Sequence, residues 1–194
     1  MITIVSGLPR SGTSLMMQML AAGGLPVLTD GQREKDVDNP RGYYEWEPIK
    51  TLPQAPGCLA EAEGKAVKVI SSFLFSLPED NDYRIIFMRR PLPEVLASQA
   101  EMIRRRGTTG SSLAAPALMA ALQAHLNQVS TWLERRPQRV CRIDYHTALR
   151  EPLSTAQAVQ TFLNIPLHVE AMAQQVDWSL YRQKAPARVE GQSK

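Results

Sequence analysis

Eight residues near the amino terminus, Gly7-Leu8-Pro9-Arg10-Ser11-Gly12-Thr13-Ser14, have the composition of an anion cradle. Glycine lets the backbone turn tightly enough to aim successive N–H groups at one point, and a helix starting after the turn adds its positive end. Set against the Walker A pattern G-x-x-x-x-G-K-[ST], both glycines and the last hydroxyl fit, but Thr13 occupies the lysine position. That lysine follows the β- and γ-phosphates of a nucleoside triphosphate. Its absence, with Arg10 placed earlier in the loop, suits a nucleotide with a shorter 5′ anion.

A second cation–hydroxyl pair lies further along, in Arg84-Ile-Ile-Phe-Met-Arg-Arg-Pro-Leu-Pro-Glu-Val-Leu-Ala-Ser98. Arg90 ends an apolar strand and Ser98 falls within the following helix, so guanidinium and hydroxyl can converge on one phosphate. Arg89, pointing the other way if the strand continues, is expected to pair with a carboxylate. Two anion sites at the carboxyl ends of parallel strands fit a nucleotide phosphorylated at two separate positions.

The elements that must position these residues follow from hydrophobic period. Ile2 to Val5 read as a buried strand, and Leu15, Met16, Met19 and Leu20 as a helix that Gly23-Gly24 stops. Further strands are expected at 66–70, 84–88 and 140–145. Helices are expected at 94–103, 113–133 and 154–163, with a short one near 47–52. The stretch from about Thr29 to Pro56 reads as a long functional loop. Residues 107–112 read as a glycine-serine break and 185–194 as a frayed tail. Strands alternating with helices imply an α/β fold, a P-loop-containing three-layer α/β/α sandwich with a central, mainly parallel sheet. A single domain over 1–184 is expected from the length.

Composition narrows the class. The net charge of +3 over 194 residues gives no argument for nucleic acid. No stretch reaches the ~20 apolar residues of a membrane span, and the start MITIVSGLPRSG lacks the form of a secretory signal. A cytoplasmic protein is expected. Cys58 and Cys141 read as reduced thiols, and the cysteines and three histidines form no cluster for a metal. Arg104, Arg105 and Arg106 read as a solvated helix end.

The loop PRSGTS after a strand, with the later strand-Arg-x7-Ser element, resembles the sulfotransferases that use 3′-phosphoadenosine 5′-phosphosulfate (PAPS). GLPRSGTSLM is especially similar to the loop of tyrosylprotein and bacterial sulfotransferases. A third match is Ile143-Asp144-Tyr145-His146-Thr147-Ala148-Leu149, followed by Glu151-Pro152. It looks like the family's strand ending in Tyr-Glu-Asp-Leu, whose tyrosine lies near the adenine. The resemblance spans roughly residues 1–165. It implies that Pro9, Arg10, Ser11, Gly12, Thr13 and Ser14 hold the 5′-phosphosulfate, that Arg90 and Ser98 hold the 3′-phosphate, and that Tyr145 lies near the adenine. It also implies PAPS as donor, 3′-phosphoadenosine 5′-phosphate (PAP) as product, and no metal. The acceptor would be a small molecule, carbohydrate or peptide, and a homodimer is allowed.

Departures from the family pattern bear on the base. Cytosolic members carry Lys-x-His on the second strand, whereas this chain reads Lys68-Val69-Ile70. The long loop offers Asp30, Glu45 and Glu47 instead. Asp30 lies about where the tyrosylprotein relatives place the glutamate that acts as general base, and Glu45 sits in the aromatic segment NPRGYYEWE. Tyr43, Tyr44 and Trp46 line an acceptor site or form core beneath the loop. His125 and His146 read as surface or satisfied histidines. Arg182 and Lys184 stand in for the family's C-terminal basic loop. Two alternatives stay open, a non-catalytic nucleotide-binding protein on the same fold and a P-loop small-molecule kinase.

Overall fold

A computed structural model describes residues 1–182 except Asp38, Thr109, Gly110 and Ser112. The expected tail, Lys184 and part of the 107–112 break therefore lie outside the described residues.

β1 (Ile2–Gly7) is buried along its whole length, as a strand covered on both faces must be. It pairs in parallel with β2 (Ala66–Ile70) on one side and β3 (Tyr83–Arg89) on the other, and β4 (Val140–Asp144) pairs in parallel with β3. The order is β2-β1-β3-β4, so the sheet is wholly parallel. From β1 the chain moves outward to β2, then crosses back over β1 to form β3. The winding direction reverses between β1 and β3, which opens a crevice beyond their carboxyl ends.

Pleating sends alternate side chains to opposite faces. On one face Ile2, Ile4, Val67, Val69, Ile85 and Phe87 pack against Val129 and Leu133 of α3 (Ala115–Glu134) and against Trp46, Ile49, Leu52 and Leu59. On the other, Val5, Ile86, Met88 and Ile143 meet Met16, Met19 and Leu20 of α1 (Thr13–Ala22). Val159 and Leu163 of α5 (Pro152–Leu163) and Met172 of α6 (Val169–Ala173) complete that layer. This is the expected three-layer sandwich. A smaller cluster, Leu8, Leu92 and Val95, seats the phosphate loop against α2 (Leu92–Arg106).

The short helix expected near 47–52 is a 3₁₀ turn, Glu47–Thr51, with Pro48 in its first turn. Two further 3₁₀ turns, Pro56–Ala62 and Ser71–Ser76, and helix α6 are too short to leave a period in the sequence. One boundary is corrected. Tyr145 is not the last residue of β4 but the first of α4 (Tyr145–Arg150). β4 pairs with β3 only as far as Arg89–Asp144, and Pro91 then leads β3 away, so Tyr145 has no strand neighbour and turns into a helix.

Gly7 ends β1 with φ +151°. A Cβ there would come within 2.4 Å of Ser11 Oγ and 2.7 Å of the Met88 carbonyl oxygen. Gly7→Ala is therefore expected to cost about 2–4 kcal/mol from strain and crowding together. Thermal denaturation would register this as a lowered midpoint, and an unchanged midpoint would mean that the loop relaxes freely.

Candidate active site

The loop between β1 and α1 is built around two left-handed residues. Gly12, the N-cap of α1, has φ +100°, and a Cβ on it would meet Tyr145 Cδ2 at 2.5 Å. The Tyr145 ring thus packs directly on the loop, which requires Tyr145 to leave the strand. Arg10 has φ +72°, a conformation that costs a non-glycine residue free energy unless its surroundings hold it there. Two bonds do so. Its Nε donates to Ser98 Oγ at 3.0 Å, and its carbonyl accepts from Arg90 Nη1 at 3.1 Å. Ser11 and Thr13 are buried, and among the described residues the Ser11 hydroxyl has no hydrogen-bond partner.

The structure brings the two sequence elements to one place. The Arg90 side chain is only 7% exposed, its guanidinium 4.7 Å from the centroid of Tyr145 and 5.6 Å from that of Tyr181. Its Nε donates to Glu94 Oε2 at 3.0 Å. Glu94, 2% exposed, also contacts His146 Nε2 and accepts from Tyr181 Oη, each at 3.0 Å. Arg89 points away and pairs with Asp144 at 2.8 Å, as strand alternation requires. His146 is satisfied by Glu94 and Tyr181, and His125 by Ser71 at 2.8 Å.

Across the loop from Arg90 stands Lys68. Its ammonium donates to Ser14 Oγ at 3.2 Å and to the Tyr43 carbonyl at 2.5 Å, and lies 3.8 Å from Glu45. Burial lowers its pKa to about 8, partly countered by the Glu45 carboxylate. Glu45 is also paired with Arg33 at 2.5 Å, and that guanidinium lies 3.4 Å from the Tyr43 ring centroid. The three carboxylates singled out in the long loop therefore separate. Glu45 lines the cavity. Asp30 lies off it, its oxygens taken by the N–H groups of Glu47 and Gln32, which hold its pKa low. Glu47 also lies off the cavity and pairs with Lys50 at 2.6 Å.

Pro9, Arg10, Gly12, Thr13 and Ser14 line one wall of a cavity of about 270 Å³, which Lys68, Arg90, Ser98 and Tyr145 also line. Ser11 faces a second hollow behind the loop. Tyr43 is buried and lines the main cavity, whereas Trp46 belongs to the core and Tyr44 packs against the α1 layer. Two features escaped the sequence reading. Arg106, exposed at the helix end as expected, also reaches across to Asp36 at 2.6 Å and to Tyr43 Oη at 3.2 Å, fastening the long loop to α2. Arg41 and Arg182 tie that loop to the C-terminal segment, through the Gln175 carbonyl and Asp177 and through the Val37 carbonyl. Single arginines in polar segments carry no signal of such distant partners.

A parallel sheet with a glycine-bearing loop at its switch point, and a cavity lined by Arg10, Lys68 and Arg90 among its cations, defines an α/β protein with a basic pocket at the carboxyl ends of its strands. No family model matches the sequence, and no curated protein matches it. Solved structures do share its architecture. The sulfotransferase domain of the curacin biosynthetic pathway superposes with TM-score 0.57 at 18% identity, covering 91% of this chain and 77% of that one. Mouse sulfotransferase SULT7A1, complexed with PAP, gives TM-score 0.56 at 16% identity over 95% of this chain and 66% of that one. Sulfotransferase STF9 from Mycobacterium avium gives 0.53 at 14% over 95% and 69%. The fold is that of the sulfotransferases. Among the described residues no helix is long and apolar enough to cross a membrane.

Lys68 generates a pH-dependent prediction. Its folded pKa of about 8 lies below the ordinary 10.5, so between those values the unfolded chain binds more protons and stability rises with pH. Relative to Lys68→Met, the parent is expected to gain about 2 kcal/mol of stability from pH 8 to pH 10. Urea denaturation of both proteins at pH 7, 8.5 and 10 measures it. A difference independent of pH would mean that the ammonium loses no solvation on folding.

Proposed function

We propose that this protein is a sulfotransferase that takes a sulfuryl group from PAPS and passes it to a hydroxyl or amine acceptor. The observation that carries the reading is the convergence of Arg10, Lys68 and Arg90 on one cavity, with no lysine at the Walker A position. The residue chemistry fits such a donor. Loop N–H groups, the cations of Arg10, Lys68 and Arg90 and the hydroxyls of Thr13, Ser14 and Ser98 suit a ligand rich in phosphate oxygens. Bound there, the donor supplies an activated sulfuryl group with PAP as leaving group.

Gly12, Thr13 and Ser14 hold the 5′ anion, with Pro9 shaping the turn and Ser11 turned to the hollow behind the loop, and Arg90 with Ser98 holds the 3′-phosphate. Tyr145, packed on Gly12, forms part of the base pocket. Sulfuryl transfer builds negative charge on the departing oxygen, and Arg10 and Lys68 are the cations placed to stabilise it. Glu45, the one of the three loop carboxylates that lines the cavity, serves as the base for the acceptor's proton. Asp30 serves the loop itself, capping the turn that starts at Glu47. Tyr43 forms the acceptor side.

Calorimetric titration with PAP, 5′-AMP and ATP tests the donor assignment. Binding is expected to require the 3′-phosphate and to be independent of Mg²⁺. A preference for ATP with Mg²⁺ would overturn the assignment. With an acceptor in hand, Arg10→Ala is expected to lower turnover by roughly 10²–10³-fold, the range for loss of one preorganised donor at a developing charge. Glu45→Gln is expected to lower turnover while leaving PAP affinity unchanged, and a full rate in that variant would remove Glu45 as base.

A further inference from the structure

We infer that Glu94 is a positioning residue for the second anion subsite: it fixes Arg90 against the Arg10 carbonyl, so that both subsites grip a doubly phosphorylated nucleotide as one rigid unit. The inference rests on the donor reading above and assigns a role to a residue which that reading leaves out.

A carboxylate 2% exposed is costly unless every lone pair finds a donor. Glu94 collects donors from three separate parts of the chain. These are Arg90 at the end of β3, His146 in α4 and Tyr181 in the C-terminal segment, each 3.0 Å away. Tyr181 Oη and His146 Nε2 are themselves 3.1 Å apart, which closes the ring of contacts. Nothing about starting a helix at Pro91 requires this. An acidic residue in the first turn of α2 would interact with the helix dipole equally well at the surface.

What Glu94 does accomplish is visible at Arg90. With Nε on Glu94, Nη1 on the Arg10 carbonyl and the neighbouring rings of Tyr145 and Tyr181 packed beside it, the guanidinium is held in place. It acts as an oriented fork rather than as a charge on a flexible stem. Ser98 lies four residues beyond Glu94, on the same buried face of α2. Its hydroxyl accepts from Arg10 Nε. One helix face therefore holds both arginines, Arg90 through Glu94 and Arg10 through Ser98. The Arg90–Arg10 bond joins them across 80 residues of sequence. A ligand anion on either arginine meets a geometry that the other has already helped to set.

The test is calorimetric titration with PAP and 5′-AMP on the full chain, with thermal denaturation of each variant alongside. Proteins compared are the parent, Glu94→Gln, Arg90→Ala and the double variant. The PAP:AMP affinity ratio is expected to fall about tenfold in Glu94→Gln and at least as far in Arg90→Ala, with AMP affinity within about threefold of the parent. Because Glu94 acts through Arg90, the double variant is expected to lose no more than Arg90→Ala alone. Arg90→Ala strands a buried carboxylate, which the double variant relieves, so the double variant also controls for misfolding. If Glu94→Gln itself fails to fold, Tyr181→Phe, which removes one donor to Glu94, is expected to lower the ratio about threefold.

A parent that separates PAP from AMP, with a Glu94→Gln variant that separates them equally well, would overturn the positioning role and leave the donor reading standing. Additive losses in the double variant, or a parallel fall in AMP affinity, would likewise overturn it by making Glu94 a support of the fold alone. A parent that binds PAP and AMP alike would remove the donor reading, and this inference with it.

Discussion

The parallel pairing of β1 with β3 is the constraint on which the rest depends. Its register sets Gly7 opposite Met88, so the phosphate loop and the Arg89-Arg90 corner leave the sheet from neighbouring points. The space between those points is narrow enough that a single Cβ at Gly7 would collide with the Met88 carbonyl. From this approach follow the reach of Arg90 to the Arg10 carbonyl and of Ser98 to the Arg10 side chain. Any shift of register would move both cations relative to the loop and reverse which side chains face each helical layer.

Charge burial gives the site a second level of organisation. Arg90, Glu94 and Lys68 are all taken largely out of water, and each is compensated in its own way. Arg90 and Glu94 satisfy one another and recruit His146 and Tyr181, which gives a geometrically fixed pair. Lys68 has a partner at 3.8 Å and two oxygens, and burial still pulls its pKa down. A cation held at this disadvantage gains most from an incoming anion. The same desolvation that lowers the stability of the folded chain near neutral pH therefore favours ligand binding at the cavity.

Much of the fold was legible because its signals are local. A short β-branched run, a glycine-bearing turn and a helix with a 3.6-residue period each declare themselves within a dozen residues, and so does the Arg90–Ser98 element. The 3₁₀ turns and α6 left no such signal, because one or two turns carry too few apolar positions to show a period. Tyr145 was read into β4 for an instructive reason. Its side chain suits a strand as well as a helix, and only the end of β3 at Arg89 denies it a pairing partner. The candidate carboxylates illustrate the same limit. Asp30, Glu45 and Glu47 are indistinguishable as charges in a polar loop, yet the loop's path puts Glu45 beside Lys68 and gives Asp30 to backbone N–H groups.

The sequence by itself determined the chemistry on offer: an anion-binding turn without the triphosphate lysine, a strand that ends in arginine, and alternating elements that can close only as a covered parallel sheet. These depend on residue type and short spacing, which a linear chain states directly. Tertiary structure alone decided which of those groups meet. The bond from Arg10 to Ser98 spans 88 residues, that from Tyr181 to Glu94 87, and that from Arg106 to Asp36 70. Contacts at such separations are set by strand order, register and the burial of charge, and no local pattern encodes them.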